Sequence, residues 1–258
     1  MKTKFYVLTT SLFVLMTSCT SYFYQVYKAE PSNDIVLKNG SLVYEDENCH
    51  VSYNFWGDNG NIGFSFYNKT DKDIYLNLGE SYFVVNGVAN DYFKNRVFTK
   101  TGGSSVLIAS YYLGIGATSS SNLSVAQKEE ELVRIPSMAS KNISEYLITE
   151  DIYRNCDLLK EPKKNQIRTI TFKKENSPLV FSNRLTYMIE KAETPIKFNN
   201  EFYVTEITNY PEDELIEWKS DEFCGQKSST RTKHFRDISP AKFYIKYSST
   251  YTGDYFKH

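Results

Sequence analysis

His50, His234 and His258 are the only imidazoles in 258 residues, and acid–base or metal chemistry near neutral pH usually recruits that side chain. His50 takes the outward phase of an alternating stretch, and His234 lies among Lys227, Arg231, Lys233 and Arg236. His258 is the last residue, where chain ends fray. Each suits a surface position better than a catalytic one. A serine nucleophile needs the strained turn of G-x-S-x-G to expose its hydroxyl, but Gly63-Phe64-Ser65-Phe66-Tyr67 lacks the second glycine. A phosphate cradle needs a Gly-rich turn opening a helix. Gly114-Ile115-Gly116-Ala117-Thr118-Ser119 has no lysine and no helical pattern after it, and suits a loop. Glycoside hydrolysis needs two carboxyls about 5–9 Å apart across a cleft. Glu129-Glu130-Glu131 and Glu212-Asp213-Glu214 are runs whose neighbours point apart. Asp58-Asn59-Gly60-Asn61 supplies turn residues without the downstream bidentate Glu of a calcium loop. The expectation is therefore no catalytic residue, no metal site and no cofactor.

Four cysteines remain to be placed: Cys19, Cys49, Cys156 and Cys224. None forms a C-x-x-C pair, and the last three have no zinc spacing. In an oxidising compartment Cys49–Cys156 is one available disulfide; the other reading is buried thiols behaving as small apolar residues. Aromatic residues are the remaining functional hint, with 21 Tyr, 17 Phe and two Trp. Trp56 beside a turn, Trp218 in an acid-rich segment, and Tyr111-Tyr112 are the positions to watch for ligand or partner contacts. Large rings anchor partners at low entropic cost, although most rings in a β-protein fill its core.

Residues 1–18 have the layout of an export signal. Lys2 and Lys4 precede an uncharged, largely apolar run from Phe5 to Met16, which is too short for the roughly 20 residues that span a bilayer. Small residues Thr17 and Ser18 then lead to Cys19. The formal net charge is −1, and becomes slightly more acidic once the two lysines leave with the signal. That balance argues against nucleic acid, which rewards clustered positive charge.

Strands must position whatever the chain presents. Residues 19–40 suit a membrane-proximal tether, either lying beside the lipid interface through Tyr22, Phe23, Tyr24 and Tyr27 or packing back on the body. From Tyr44 the period becomes two, with Cys49, Val51, Tyr53 and Phe55 on one face. Ile62-Phe64-Phe66 and Ile74-Leu76-Leu78 continue it, and Asn86-Gly87 is a hairpin signal. Tyr92–Thr99 suits another strand. Residues 101–124 break the rhythm as a long Gly/Ser-rich excursion carrying the apolar run from Val106 to Leu113. Strands are expected again at 132–135, 143–148, 166–173, 179–181 and 185–189. Ile196–Phe198, Asn199-Asn200 and Phe202–Val204 suit a hairpin, with a bulge where the apolar phase slips between Val204 and Ile207. Residues 241–247 form the last strand. Helical period is scarce; 127–133 and 212–219 could each form a turn or two. The chain is expected to be mainly β, an antiparallel sandwich of immunoglobulin-like character over 41–258, as one body or as two sub-domains meeting near 150–165.

The run Leu15-Met16-Thr17-Ser18-Cys19 resembles the lipobox of bacterial lipoproteins, with Met16 where the family usually has Leu. The resemblance implies cleavage before Cys19 and its acylation with chains such as palmitate, so that the lipid bilayer is the first partner. Asn68-Lys69-Thr70-Asp71-Lys72-Asp73-Ile74-Tyr75-Leu76, Ser177-Pro178-Leu179-Val180-Phe181-Ser182-Asn183 and Phe202-Tyr203-Val204-Thr205-Glu206-Ile207-Thr208-Asn209 look like lipoproteins of gut Bacteroidetes. No activity travels with those motifs. Surface-exported lipoproteins of that phylum often carry acids soon after Cys; Thr20–Tyr27 has none, which implies the periplasmic side of the outer membrane. The expected role is a non-catalytic, anchored module binding an envelope protein, or alternatively a glycan through exposed aromatics.

Overall fold

Alternation at Cys49–Tyr53 becomes a strand whose odd positions are sealed and whose even positions stay half-exposed, and most of the chain repeats that grammar. The structure, a computed structural model, describes residues 21–32, 34–101, 105–109, 124–190, 192 and 194–249. Side chains of 99–101, 105–109 and 124–126 are outside the description, as are Cys19, Tyr111 and Tyr112. In chain order the strands are β1 (Tyr22–Pro31), β2 (Ile35–Lys38), β3 (Ser41–Glu45), β4 (Cys49–Tyr53), β5 (Phe64–Asn68) and β6 (Ile74–Asn77). Next come β7 (Tyr82–Val85), β8 (Val88–Asp91), β9 (Val97–Thr101), β10 (Ser105–Ala109), β11 (Ser124–Lys128), β12 (Leu132–Ile135) and β13 (Ser140–Ile143). The remainder are β14 (Thr169–Thr171), β15 (Val180–Ile189), β16 (Ile196–Pro211), β17 (Ile216–Phe223), β18 (Gln226–Phe235) and β19 (Lys242–Ser248).

Two antiparallel sheets face each other across one core, as expected of a sandwich. The smaller runs β13-β5-β4-β3-β2. The larger runs β12-β6-β15-β16-β1-β19 and curls, because its long strands change partners along their length. One edge of β16 pairs first with β15 and then with β14, while β15 pairs first with β7 and then with β6. Rings interdigitate between the layers: Tyr53 meets Phe202 edge-on at 5.3 Å, and Phe66 meets Tyr187 at 5.5 Å. Burying each such ring contributes about 1.5–3 kcal/mol. The Asn86-Gly87 hairpin joins β7 to β8 with φ of 46° and 84°, the doubly left-handed turn that suits the strand twist. The bulge is present too: Lys28 pairs with Glu206 and Ala29 with Val204, leaving Thr205 as the extra residue.

Several boundaries differ from expectation. Residues 22–31 are no tether but β1, which lies between β16 and β19. Phe23, Tyr27 and Ala29 face the core, and Tyr24 is buried on the opposite face. Asn199-Asn200 is no turn, since β16 is continuous for 16 residues and Asn200 is sealed inside, donating from Nδ2 to the Tyr53 hydroxyl at 2.8 Å. Tyr92 is a core residue preceding β9, its hydroxyl donating to Asn183 Oδ1 at 2.6 Å. Instead of a helix, residues 127–133 hold the end of β11 and the start of β12; 212–219 holds one helical turn, Glu212–Leu215, which runs into β17. Among the described residues, the Gly/Ser-rich excursion contributes β10 to a separate three-stranded sheet, β10-β9-β11, whose other two strands flank it in sequence.

A half-buried charge cluster ties that small sheet to the body. Arg96, just before β9, donates to Glu145 Oε1 at 2.6 Å and to Glu129, whose side chain is only 8% exposed. Burial pushes the Glu129 carboxyl up. Hydrogen bonds from the Arg96 guanidinium and from the backbone N–H groups of Arg96 and Lys94 outweigh it and hold the group below its usual range. Glu145 is held low in the same way, burial opposing and Arg96 and Lys94 prevailing.

Candidate interaction surface

Among the described residues β17 and β18 pair only with each other, so they form an arm outside both layers. Its turn is Cys224-Gly225, with φ of 50° and 77°. Phe223 at the turn is 83% exposed, and Trp218 further down is 59% exposed. Neither ring supports the core. The strand β17 and the turn before it are acid-rich (Glu212, Asp213, Glu214, Glu217, Asp221, Glu222), whereas β18 and its exit carry Lys227, Arg231, Lys233 and Arg236. Lys233 Nζ lies 5.4 Å from the centre of the Trp218 ring and 2.8 Å from Glu212, and Lys219 and Glu217 pair along the same strand.

The root of the arm is packed. Leu215 and Ile216 sink into a second cluster on the outer face of the large sheet, with Tyr24, Val26, Tyr210, Phe235 and Tyr244. Trp56 belongs here: its ring meets Phe235 at 5.0 Å and Tyr244 at 5.3 Å, both edge-on. It is half-buried and supports the arm through its packing on Phe235 and Tyr244. The Tyr24 hydroxyl donates to Glu212 at 3.3 Å, and burial, reinforced by that carboxylate, pushes its phenol well up. Beside the root a cavity of about 360 Å³ is lined by Glu212, Asp213, Glu217, Trp218, Lys233 and Arg236.

Two other cavities flank the loop at 149–160. One of about 720 Å³ is walled by Tyr27, Asp151, Tyr153 and Leu179, and one of about 330 Å³ by Cys156, Leu158 and Asn209. Buried amides fasten this loop over the end of the core. Gln25 Nε2 donates to the Tyr153 carbonyl at 2.8 Å, and Tyr153 N donates back to Gln25 Oε1 at 2.7 Å. Asn209 Nδ2 holds the Leu159 carbonyl at 2.9 Å, and the Tyr27 hydroxyl holds Asp151 O at 3.1 Å. Gln25, Tyr27 and Asn209 are thus committed to holding the loop.

The other sequence-marked residues are dispersed. His50 stacks on Tyr67 at 4.7 Å, and His234 Nε2 sits 2.8 Å from Thr232 Oγ1 on the arm. Glu214 pairs with Lys164, Glu212 with Lys233 and Glu129 with Arg96. Asp58 accepts from the Lys246 backbone N–H at 3.1 Å, so its carboxylate serves a turn. Cys49 and Cys156 are free thiols, the first sealed beside Asp46 and Tyr187 and the second exposed, and the pairing considered from sequence is not formed. Among the described residues no group of three or more His, Cys, Asp or Glu is placed to hold a metal, and no helix is long and apolar enough to cross a membrane. No protein-family model, curated protein or solved structure matches the chain.

Sequence reasoning locates Trp218 but not the arm that carries it, nor Phe223. The available signal is the Cys224-Gly225 turn between an acid-rich stretch and a basic one rich in Ser and Thr. The usual marker of a strand, one apolar face, is missing because both faces of the arm meet solvent.

Proposed function

We propose that this is an envelope lipoprotein, anchored through acylated Cys19 and facing the periplasm from the outer membrane, whose body is a non-catalytic module that binds an envelope protein with the β17–β18 arm. The observation that carries the binding role is the exposure of Trp218 and Phe223 on a hairpin whose root alone is packed. Exposed aromatic anchors within a charged surround are the usual makings of a binding hot spot. Opposite charge on the two strands adds orientation and association rate. The anchoring role rests on the lipobox-like run ending at Cys19.

Photo-crosslinking in intact cells, with a benzophenone amino acid at Phe223, tests the binding role. One discrete adduct is expected that disappears in Trp218→Ala; no adduct, or one unchanged by that substitution, contradicts it. A second reading, glycan binding, is favoured by the cavity at the arm root, where the Trp218 ring lies beside three carboxylates and Arg236. Glycan-array binding lost on Trp218→Ala and unaffected by Phe223→Ala would select it over the first.

A further inference from the structure

We infer that the end of the sandwich where β1 begins rests directly on the lipid headgroups, so that the arm is presented at the membrane surface rather than across the periplasm. The inference rests on the proposed acylation of Cys19. Ser21 is already fixed in the fold: its carbonyl accepts from the Ser249 N–H at 3.0 Å, and Tyr22 pairs with Ser248. Two peptide steps from Cys19 to Ser21 span at most about 7 Å. The headgroup layer on each side of a bilayer is itself about 5–8 Å deep. No slack remains for a tether. Whatever surrounds Ser21 must therefore meet the headgroups.

The surrounding rim has suitable chemistry. Tyr22 is 39% exposed, with the Lys246 ammonium 4.1 Å over its ring, an aromatic–cation pairing at home in the interface. Leu159, 46% exposed, reaches this end because Asn209 holds its carbonyl and Tyr247 holds that of Lys160. Lys164 follows, its side chain 79% exposed and its ammonium 2.9 Å from Glu214. The arm starts from the same rim, since Pro211 pairs with Phe23 and the helical turn Glu212–Leu215 leads straight into β17. The opposite end of β1, ten residues away, stands about 30 Å off, and β2 with exposed Leu37 follows that end.

Full-length protein whose N-terminal peptide has been weighed as acylated, in vesicles of phosphatidylethanolamine and phosphatidylglycerol, provides the test. In a Cys156→Ser, Cys224→Ser background, a bimane fluorophore is attached at Lys164→Cys or at Leu37→Cys, and quenching by headgroup-nitroxide lipid is compared. Quenching at position 164 is expected to exceed that at 37 several-fold, and to fall to the level at 37 when a twenty-residue Gly/Ser linker is inserted between Thr20 and Ser21. Equal quenching at the two positions in acylated protein overturns this inference alone. A protein that carries no acyl chains overturns the lipoprotein reading, and this inference falls with it.

Discussion

Cys49 shows how one residue's surroundings decide its chemistry. Burial pushes its thiol well above the usual range, with Asp46 adding to the effect, and a neutral, sealed thiol is a poor nucleophile. Cys156 and Cys224 are exposed. Brief alkylation of the native protein followed by mass mapping is expected to modify Cys156 and Cys224 while sparing Cys49. A Cys49–Cys156 disulfide in non-reducing digests would refute this arrangement. The carboxylates around Arg96 set a second residue-scale expectation. Glu129 and Glu145 are held low in the folded protein, so the stability they contribute is complete above their unfolded value of about 4.3 and is lost as pH falls through the lower folded values. Arg96→Ala removes the guanidinium and leaves Glu129 only the backbone N–H groups of residues 94 and 96, at a cost of about 1.5–3 kcal/mol at neutral pH. Denaturant midpoints measured from pH 7 to 3 should fall in the wild type and change much less in the variant; parallel curves would contradict the assignment.

At the scale of elements, the proposed binding role of the arm can be separated from stability. Trp218→Ala and Phe223→Ala remove rings that touch little, and each should alter unfolding free energy by no more than about 0.5 kcal/mol. Leu215→Ala, in the packed root, should cost about 2–5 kcal/mol. Chemical denaturation of the three variants checks the contrast, and a large loss at Trp218 would show that the ring is structural. Cys224 occupies a left-handed position that Asn adopts more readily, so Cys224→Asn should raise the protection of arm amides in hydrogen exchange. The same elements show what is legible in a sequence. β4, β5 and the Asn86-Gly87 hairpin are readable because one face is dry and one wet, and because Asn-Gly tolerates the turn. β1 is not. Tyr27 and Ala29 meet the main core while Tyr24 and Val26 lie under the arm root, so apolar residues on both faces erase the alternation. β16 is obscured by Asn200, a polar residue kept inside by Tyr53. The arm is obscured for the opposite reason, having no dry face along most of its length. Of the candidate surface, Trp218 could be named from its type, whereas the packing of Trp56 depends on Phe235 and Tyr244, which are distant in sequence.

The whole molecule is a mainly β body whose second described residue, Tyr22, is already paired into a sheet, opposite Ser248 of the edge strand β19. If Cys19 is acylated as proposed, that placement would make the lipid a mount rather than a flexible leash, with the root of the arm beside it. Binding at an arm so placed would be confined to membrane-proximal partners. The binding and orientation readings both depend on how the mature chain begins. Intact-mass analysis of the N-terminal tryptic peptide, taken from protein extracted from a bacterial envelope, tests that most directly. A peptide starting at residue 19 and carrying a diacylglyceryl adduct, lost in Cys19→Ala together with membrane fractionation, is the predicted result. A chain with an unmodified thiol at that position, recovered with the soluble proteins, would contradict the account.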